Sequence, residues 1–146
     1  MKPNSSERGS FLALGAVFML VVVLALLILL DGMRLYRVRN LLQVATDAAC
    51  QDAAVSAPDY EHYKETGETR FLPGVGEAKA WDTFRYVLAP DGAPVLGMQS
   101  PALTVTPEDA ADNVLCEGSV DVPMILGPET HILTATSISA IRFSSP

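Results

Sequence analysis

Two histidines, two cysteines and one acidic cluster are the residues of this sequence that could do chemistry. His62 and His131 lie in different segments, in no spacing typical of a metal site or a nucleophile–base pair. Glu108, Asp109 and Asp112 could bind a cation, but the EF-hand pattern is missing and solvated turn residues are the more common explanation. The hydrolase, zinc-protease, phosphate-loop and dinucleotide patterns are also absent. The sequence therefore predicts no cofactor, no metal and no enzymatic activity.

The cysteines, Cys50 and Cys116, are far apart in the chain and belong to no CxxC or Cys/His cluster, which argues against a zinc site. In an oxidising compartment, one disulfide tying a helix to a later strand is the natural interpretation. In the chain-entropy model such a loop contributes about 4 kcal/mol to stability. Two buried free thiols are the alternative.

These residues must be positioned by a chain that begins with an apolar stretch. Residues 11–30, FLALGAVFMLVVVLALLILL, contain no charge, amide or proline. As a helix they would cover about 30 Å, the thickness of a bilayer's hydrocarbon core. A cleaved secretory signal is the alternative, but its apolar region is usually about 7–15 residues long and is followed by a small-residue cleavage site. Here the stretch is followed by DGMRLYRVRN, which contains no such site. We therefore predict a retained transmembrane helix after a short N-terminus at 1–10.

Residues 31–57 continue this helix outside the membrane. No proline interrupts the chain between Pro3 and Pro58. One face carries apolar residues at alternating spacings of three and four, typical of a helix that is buried on one side: Leu35, Val38, Leu42, Ala45 and Ala49.

Residues 58–146 are predicted to form a small α+β domain. Residues 58–76 show no period and favour a linker or extended loop. Residues 77–88 favour a short helix with Ala78, Trp81, Phe84 and Leu88 on its buried face, a strand at 84–88 being the alternative. A turn is expected at 90–94.

Three segments near the end of the chain, residues 102–106, 113–123 and 131–143, are rich in β-branched residues and predict antiparallel strands packed on helical surface. Residues 107–109 and 127–129 would connect them. Gly118 suggests a bulge or bend in the middle strand. The expected fold class is therefore α+β and pilin-like: a long N-terminal helix, a short helix and a three-stranded sheet.

Charge is divided unevenly along the chain. Residues 1–57 carry five basic and four acidic side chains, net +1, whereas residues 58–146 carry five basic and thirteen acidic, net −8. An acidic outer domain argues against nucleic acid or anionic lipid as its partner. Basic residues flank the apolar stretch on both sides and do not decide its orientation. The cysteines favour a cytoplasmic N-terminus and a C-terminal domain outside.

Several features of residues 8–57 occur together: Arg8-Gly9 before the span, Asp31-Gly32 at its end, Arg34, Tyr36 and Arg39, Leu42-Gln43, and Ala45-Thr46-Asp47-Ala48-Ala49. With them the segment resembles the N-terminal region of TadE/TadG-like proteins of the tight-adherence (Flp) pilus system. The segments VDVPMILGP and HILTATSISAI are loosely similar to that family's final strands.

The resemblance implies a single-pass protein of the bacterial inner membrane with a periplasmic domain, acting as a minor pilin or assembly factor beside other pilus subunits. Some members are cut after a glycine that is followed, five residues on, by a glutamate. Here Gly9 is followed at that offset by Leu14, so we expect no cleavage.

The resemblance, with the small residues of the span, indicates contacts through the N-terminal helix, homo- or hetero-oligomeric. The interaction candidates are Gly15, Asp31, Arg34, Tyr36, Arg39, Leu42 and Asp47. The alternative is a single-pass protein whose outer domain binds a ligand or scaffolds another cell-envelope complex.

Overall fold

The computed structural model describes residues 5–72, 74–108 and 113–141, with side chains from Leu12 onward. It confirms the α+β class: a long apolar helix at the N-terminus is followed by two shorter α-helices and a three-stranded antiparallel sheet. In chain order the elements are α1 (Ser5–Ser56), α2 (Tyr60–Thr66), α3 (Val75–Leu88), a 3₁₀ turn (Val95–Gly97), β1 (Gln99–Glu108), β2 (Asn113–Pro123) and β3 (Thr130–Ala140).

The first part of α1 stands clear of the rest of the protein. Side chains at 12–30 are exposed or half-exposed, and the most apolar 18-residue window has a mean hydropathy of 3.2 with none of it buried. By length and composition this helix can cross a membrane. The 52 residues of α1 form a rod about 78 Å long.

The second part of α1 is the centre of the hydrophobic core. Val38, Leu42, Ala45 and Ala49 have no exposed surface, as their spacing predicts, and Leu35 packs at the edge of the core. Two of the five stripe residues, Ala45 and Ala49, are alanines, whose small side chains allow close approach of the packed elements. The sheet packs on this stripe, so the helix that begins with the exposed apolar part is also the spine of the α+β domain.

β2 is the central strand, paired antiparallel with β1 and β3. Alternate residues of β2 face α1, and four of them are fully or almost fully buried: Val114, Cys116, Val120 and Val122. The period of two along β2 thus matches the helical stripe across the core.

Gly118 lies at the middle of this buried face, and the prediction of a bulge or bend there is wrong. Its pairing with Leu103 and Ala135 is regular; the register shift of β1 and β2 lies between Gln99 and Ala102. A Cβ atom at Gly118 would instead collide with Thr46 Oγ1 and lie 2.9 Å from Phe84 Cε2. Glycine therefore serves a close approach of β2 to α1 and α3.

α3 confirms the predicted helix and rules out the alternative strand at 84–88, but its buried face differs from the prediction. Ala78 is exposed and Trp81 is half-buried, stacked on Phe84 with ring centroids 5.9 Å apart. The buried positions follow a spacing of four: Gly76, Ala80, Phe84 and Leu88. Because α3 lies against both α1 and β1, its contact stripe is set by those two neighbours rather than by the largest side chains.

The segment at 58–76 is not only a loop, because it contains α2. Asp59 caps this helix by accepting from the His62 backbone N–H at 3.1 Å, and Gly67 ends it in the left-handed conformation with φ 74°. Pro58 and Phe71 form an isolated bridge that closes the segment.

The predicted strands differ from the structure mainly at their ends. β2 has its predicted bounds, whereas β1 is longer and includes Pro107 and Glu108, expected in a connection. β3 ends at Ala140. The predictions for Asp109, Asp112 and the last residues of the third strand, 142–143, fall outside the described residues, as does the N-terminal part of the 1–10 segment.

Candidate functional site at the membrane end of the outer domain

Asp31 is the first residue after the uncharged stretch, and its carboxylate is buried with 3% of the residue exposed. It accepts hydrogen bonds from two backbone N–H groups of the β2–β3 loop, residues 124–129. The Ile125 nitrogen lies 3.2 Å from both carboxylate oxygens, and the Leu126 nitrogen lies 3.3 Å from Oδ2. A buried carboxylate is tolerated when such donors replace water. Asp31 therefore fixes this loop to α1 at the edge of the span.

Arg34, one helical turn further, fixes two more segments. Its guanidinium donates to the Leu96 carbonyl at 2.8 Å, the Pro123 carbonyl at 2.8 Å and the Gly97 carbonyl at 3.3 Å. These bonds use the planar array of donors that arginine offers and lysine lacks. Gly97 has φ 67°, and a Cβ atom there would lie 2.6 Å from Arg34 Nη2. A glycine is required to let the turn approach the guanidinium.

Together, Asp31 and Arg34 form what we call the junction, which ties α1 to the 3₁₀ turn and the β2–β3 loop. A shallow depression beside it is lined by Leu30, Met33, Arg34, Arg37, Leu96 and Ile125. The junction is a structural clamp: its polar groups are satisfied by backbone groups of the same chain.

Tyr36 and Arg39 are the predicted interaction candidates that face away from the core. They lie three residues apart and share a face of α1. Tyr36 is 67% exposed and Arg39 is exposed as well. Gly15 is also open, with no atom within 4 Å of where its Cβ would lie. In the part of the chain that the structure describes, Tyr36 and Arg39 make no side-chain hydrogen bond, so all three residues are accessible to a partner.

Leu42 and Asp47 have partners within the chain. Leu42 is fully buried in the core. Asp47 is half-buried and accepts from Gln43 Nε2 at 3.0 Å, and the same amide group lies 3.2 Å from the Thr136 carbonyl. The structure thus brings Asp31 and Arg34 together at the junction, and places Leu42 and Asp47 where α1 meets the sheet.

Cys50 and Cys116 are joined in a disulfide between α1 and β2, with Cα atoms 5.6 Å apart. Both residues are fully buried where α1 packs on the sheet. Among the residues that the structure describes, no group of three or more His, Cys, Asp and Glu side chains could hold a metal ion. His62 lies in α2 and the exposed His131 lies in β3, so the histidines belong to separate elements.

The apolar residues of the β2–β3 loop were not among the predicted candidates. Ile125 and Leu126 are 54% and 38% exposed. A signal was present in the sequence: two large apolar residues directly before Gly127-Pro128 lie in a connection, where polar residues are usual.

The residues of the junction and of the exposed face all lie in α1, and this is the segment that known proteins share. Residues 9–56 match the family model "Putative Flp pilus-assembly TadE/G-like". The match to this TadE/G-like family ends at the last residue of α1 and contains all seven interaction candidates. No curated protein and no solved structure matches the chain.

Proposed function

We propose that this protein is a non-enzymatic, membrane-anchored component of a tight-adherence (Flp) pilus assembly machine. The observation that carries the proposal is the family match over residues 9–56, which coincides with α1. Two residues that carry the resemblance to this family, Asp31 and Arg34, also form the junction. The matched segment thus contains both the proposed span and the residues that join it to the outer domain.

The protein would act by packing and surface contact, as a minor pilin or an assembly factor. α1 offers two exposed regions for this purpose. The span is open on all sides, and Gly15 leaves a notch in it where a neighbouring helix can approach closely. Above the junction, Tyr36 and Arg39 present an aromatic ring and a cation, two side-chain types enriched at protein interfaces.

The membrane topology that we propose is a cytoplasmic N-terminus at 1–10, a span at 11–30 and a periplasmic domain at 31–146 in the bacterial inner membrane. The Cys50–Cys116 disulfide supports it, because disulfides persist in the oxidising periplasm and are rare in the cytosol. We also propose that the chain is not cut after Gly9, since Leu14 stands where the processed pilins have a glutamate.

Deletion of the gene tests the function. We expect the deletion strain to lose its Flp pili, as seen by electron microscopy and by surface adherence, and the wild-type gene to restore them. Tyr36→Ala should restore them poorly. Tyr86→Ala is the matched control, since Tyr86 is 73% exposed but lies on α3. Normal piliation of the deletion strain would refute the proposal.

A further inference from the structure

The β2–β3 loop exposes two large apolar side chains while its backbone is held in place. Ile125 and Leu126 donate their backbone N–H groups to Asp31, and the Met124 N–H donates to the Glu129 carbonyl at 2.9 Å, which closes the loop. The loop is therefore a fixed part of the domain. Leaving an isoleucine and a leucine in water is unfavourable in proportion to the apolar area that they expose, so a cover would be favourable.

The position of this loop along α1 decides what can cover it. Asp31 directly follows Leu30, the last residue of the uncharged stretch. Ile125 lines the depression beside the junction together with Leu30 and Met33, both of which are exposed. The loop thus lies at the level at which α1 leaves the apolar phase.

We propose that Ile125 and Leu126 insert into the boundary between the lipid headgroups and the acyl chains, as a second membrane contact of the outer domain. The occupant of this surface is the bilayer itself, because the surface is continuous with the exposed apolar surface of the span. The inference rests on the proposed membrane anchoring by α1.

The charges around the loop fit this contact. Arg37 borders the depression and is exposed, so its cationic side chain can meet lipid phosphate groups. Most of the acidic residues belong to residues 58–146, which carry net −8. Attraction to anionic lipid is therefore not the driving force, and apolar burial is, so the contact should form on zwitterionic lipid too.

The consequence is a fixed orientation of the outer domain on the membrane. A single span can tilt in the bilayer and carry the outer domain with it, whereas a second contact beside the helix limits this tilt. The face of α1 that carries Tyr36 and Arg39 would then point in a constant direction relative to the bilayer. Such an orientation would help to present this face to neighbouring subunits.

A single fluorescent label tests the contact in the full chain. Both native cysteines are in the disulfide, so Ile125→Cys adds one reactive thiol for an environment-sensitive fluorophore. The labelled protein is placed in phosphatidylcholine nanodiscs that contain lipids with a nitroxide at the headgroup. Ile138→Cys is the matched control, because Ile138 is 65% exposed but lies far from the junction. The neighbouring Ser137 carbonyl is 3.4 Å from Cys50 Sγ, and Cys50 is about 28 Å along α1 from Asp31.

We expect the label at 125 to be quenched several-fold more strongly than the label at 138, with emission shifted to the blue. Equal quenching at the two positions in nanodisc-bound protein would refute the loop contact without refuting the membrane anchoring by α1. Failure of the protein to enter the nanodiscs would refute the anchoring as well. A blue shift that is insensitive to nitroxide lipid and grows with the number of chains per disc would show that a second copy covers the loop, which would overturn the inference.

Discussion

Replacing Phe84 by alanine is expected to lower the free energy of unfolding of the outer domain by about 3–5 kcal/mol. Phe84 is fully buried, and its ring packs over the Gly118 backbone, where even one added carbon would collide with it. Because the ring fills the space between α3, α1 and β2, truncation leaves a cavity that these elements cannot close without moving. Stability of small domains is only about 5–15 kcal/mol, so the loss is a large part of the total.

Amide hydrogen exchange of β2 in the full chain, held in nanodiscs, measures this effect. Protection of the β2 amides should fall by about 100-fold or more, since every 1.4 kcal/mol is a factor of about ten. Tyr86→Ala is the control, because Tyr86 lies on the same helix and is mostly exposed; its effect should stay within about 0.5 kcal/mol. Equal protection in the two variants would show that α3 is not packed on the sheet as described.

Removing the disulfide is expected to have the second large effect, a loss of about 2–5 kcal/mol. The disulfide joins α1 to the central strand across 66 residues of chain, so it restricts the unfolded state. The suitable variant is the double substitution Cys50→Ala and Cys116→Ala. It removes both thiols and buries no new polar group in a site without exposed surface. Urea unfolding of the full chain in nanodiscs measures the change.

The wild-type protein treated with a reductant is the control for this comparison. Reductant should destabilise the wild type by a similar amount and leave the double variant unchanged, because the variant has no bond to reduce. If untreated wild-type protein reacts at both cysteines with a maleimide under denaturing conditions, the protein as isolated has no disulfide and the prediction fails.

Those parts of the fold that depend on local pattern were predictable from the sequence. The uncharged stretch predicted an apolar helix long enough to cross a membrane, and the period of the Leu35–Ala49 stripe predicted which face of α1 is buried. β-branched composition predicted the three strands, since strand propensity and burial agree there. In α3 the type of element and two of its buried residues, Phe84 and Leu88, were predicted correctly. The other two buried residues, Gly76 and Ala80, were not, because packing of α3 against two neighbours sets which positions are covered.

The site was less predictable, because its contacts join distant parts of the chain. Asp31 and Arg34 were identified as candidates for interaction with other proteins, yet in the structure their partners are backbone groups that follow them by 62 to 95 residues. The local sequence around Asp31 and Arg34 contains no information about partners so distant in the chain. Gly118 shows the same limit: a glycine in a strand indicates either a bulge or a close approach, and only the packed structure decides between them.

The helix α2 is a different case, in which local signals were present and were outweighed by composition. Asp59 as an N-cap and Gly67 as the residue that ends the helix are both standard helix boundaries. The seven residues between them are too few to show a helical period and contain no buried residue. Short surface helices of this kind are therefore easily taken for loops.

We propose that α1 is at once a membrane span and the spine of a domain outside the cytoplasm. Reporter fusions after Pro146 test this topology most directly, because residues 1–146 stay unchanged in front of the reporter. A periplasmic reporter such as alkaline phosphatase should be active there, and a cytoplasmic reporter such as green fluorescent protein should be dark. Bright cytoplasmic fluorescence with inactive phosphatase would contradict the proposed topology, because the disulfide-linked domain would then lie on the cytoplasmic side of the membrane.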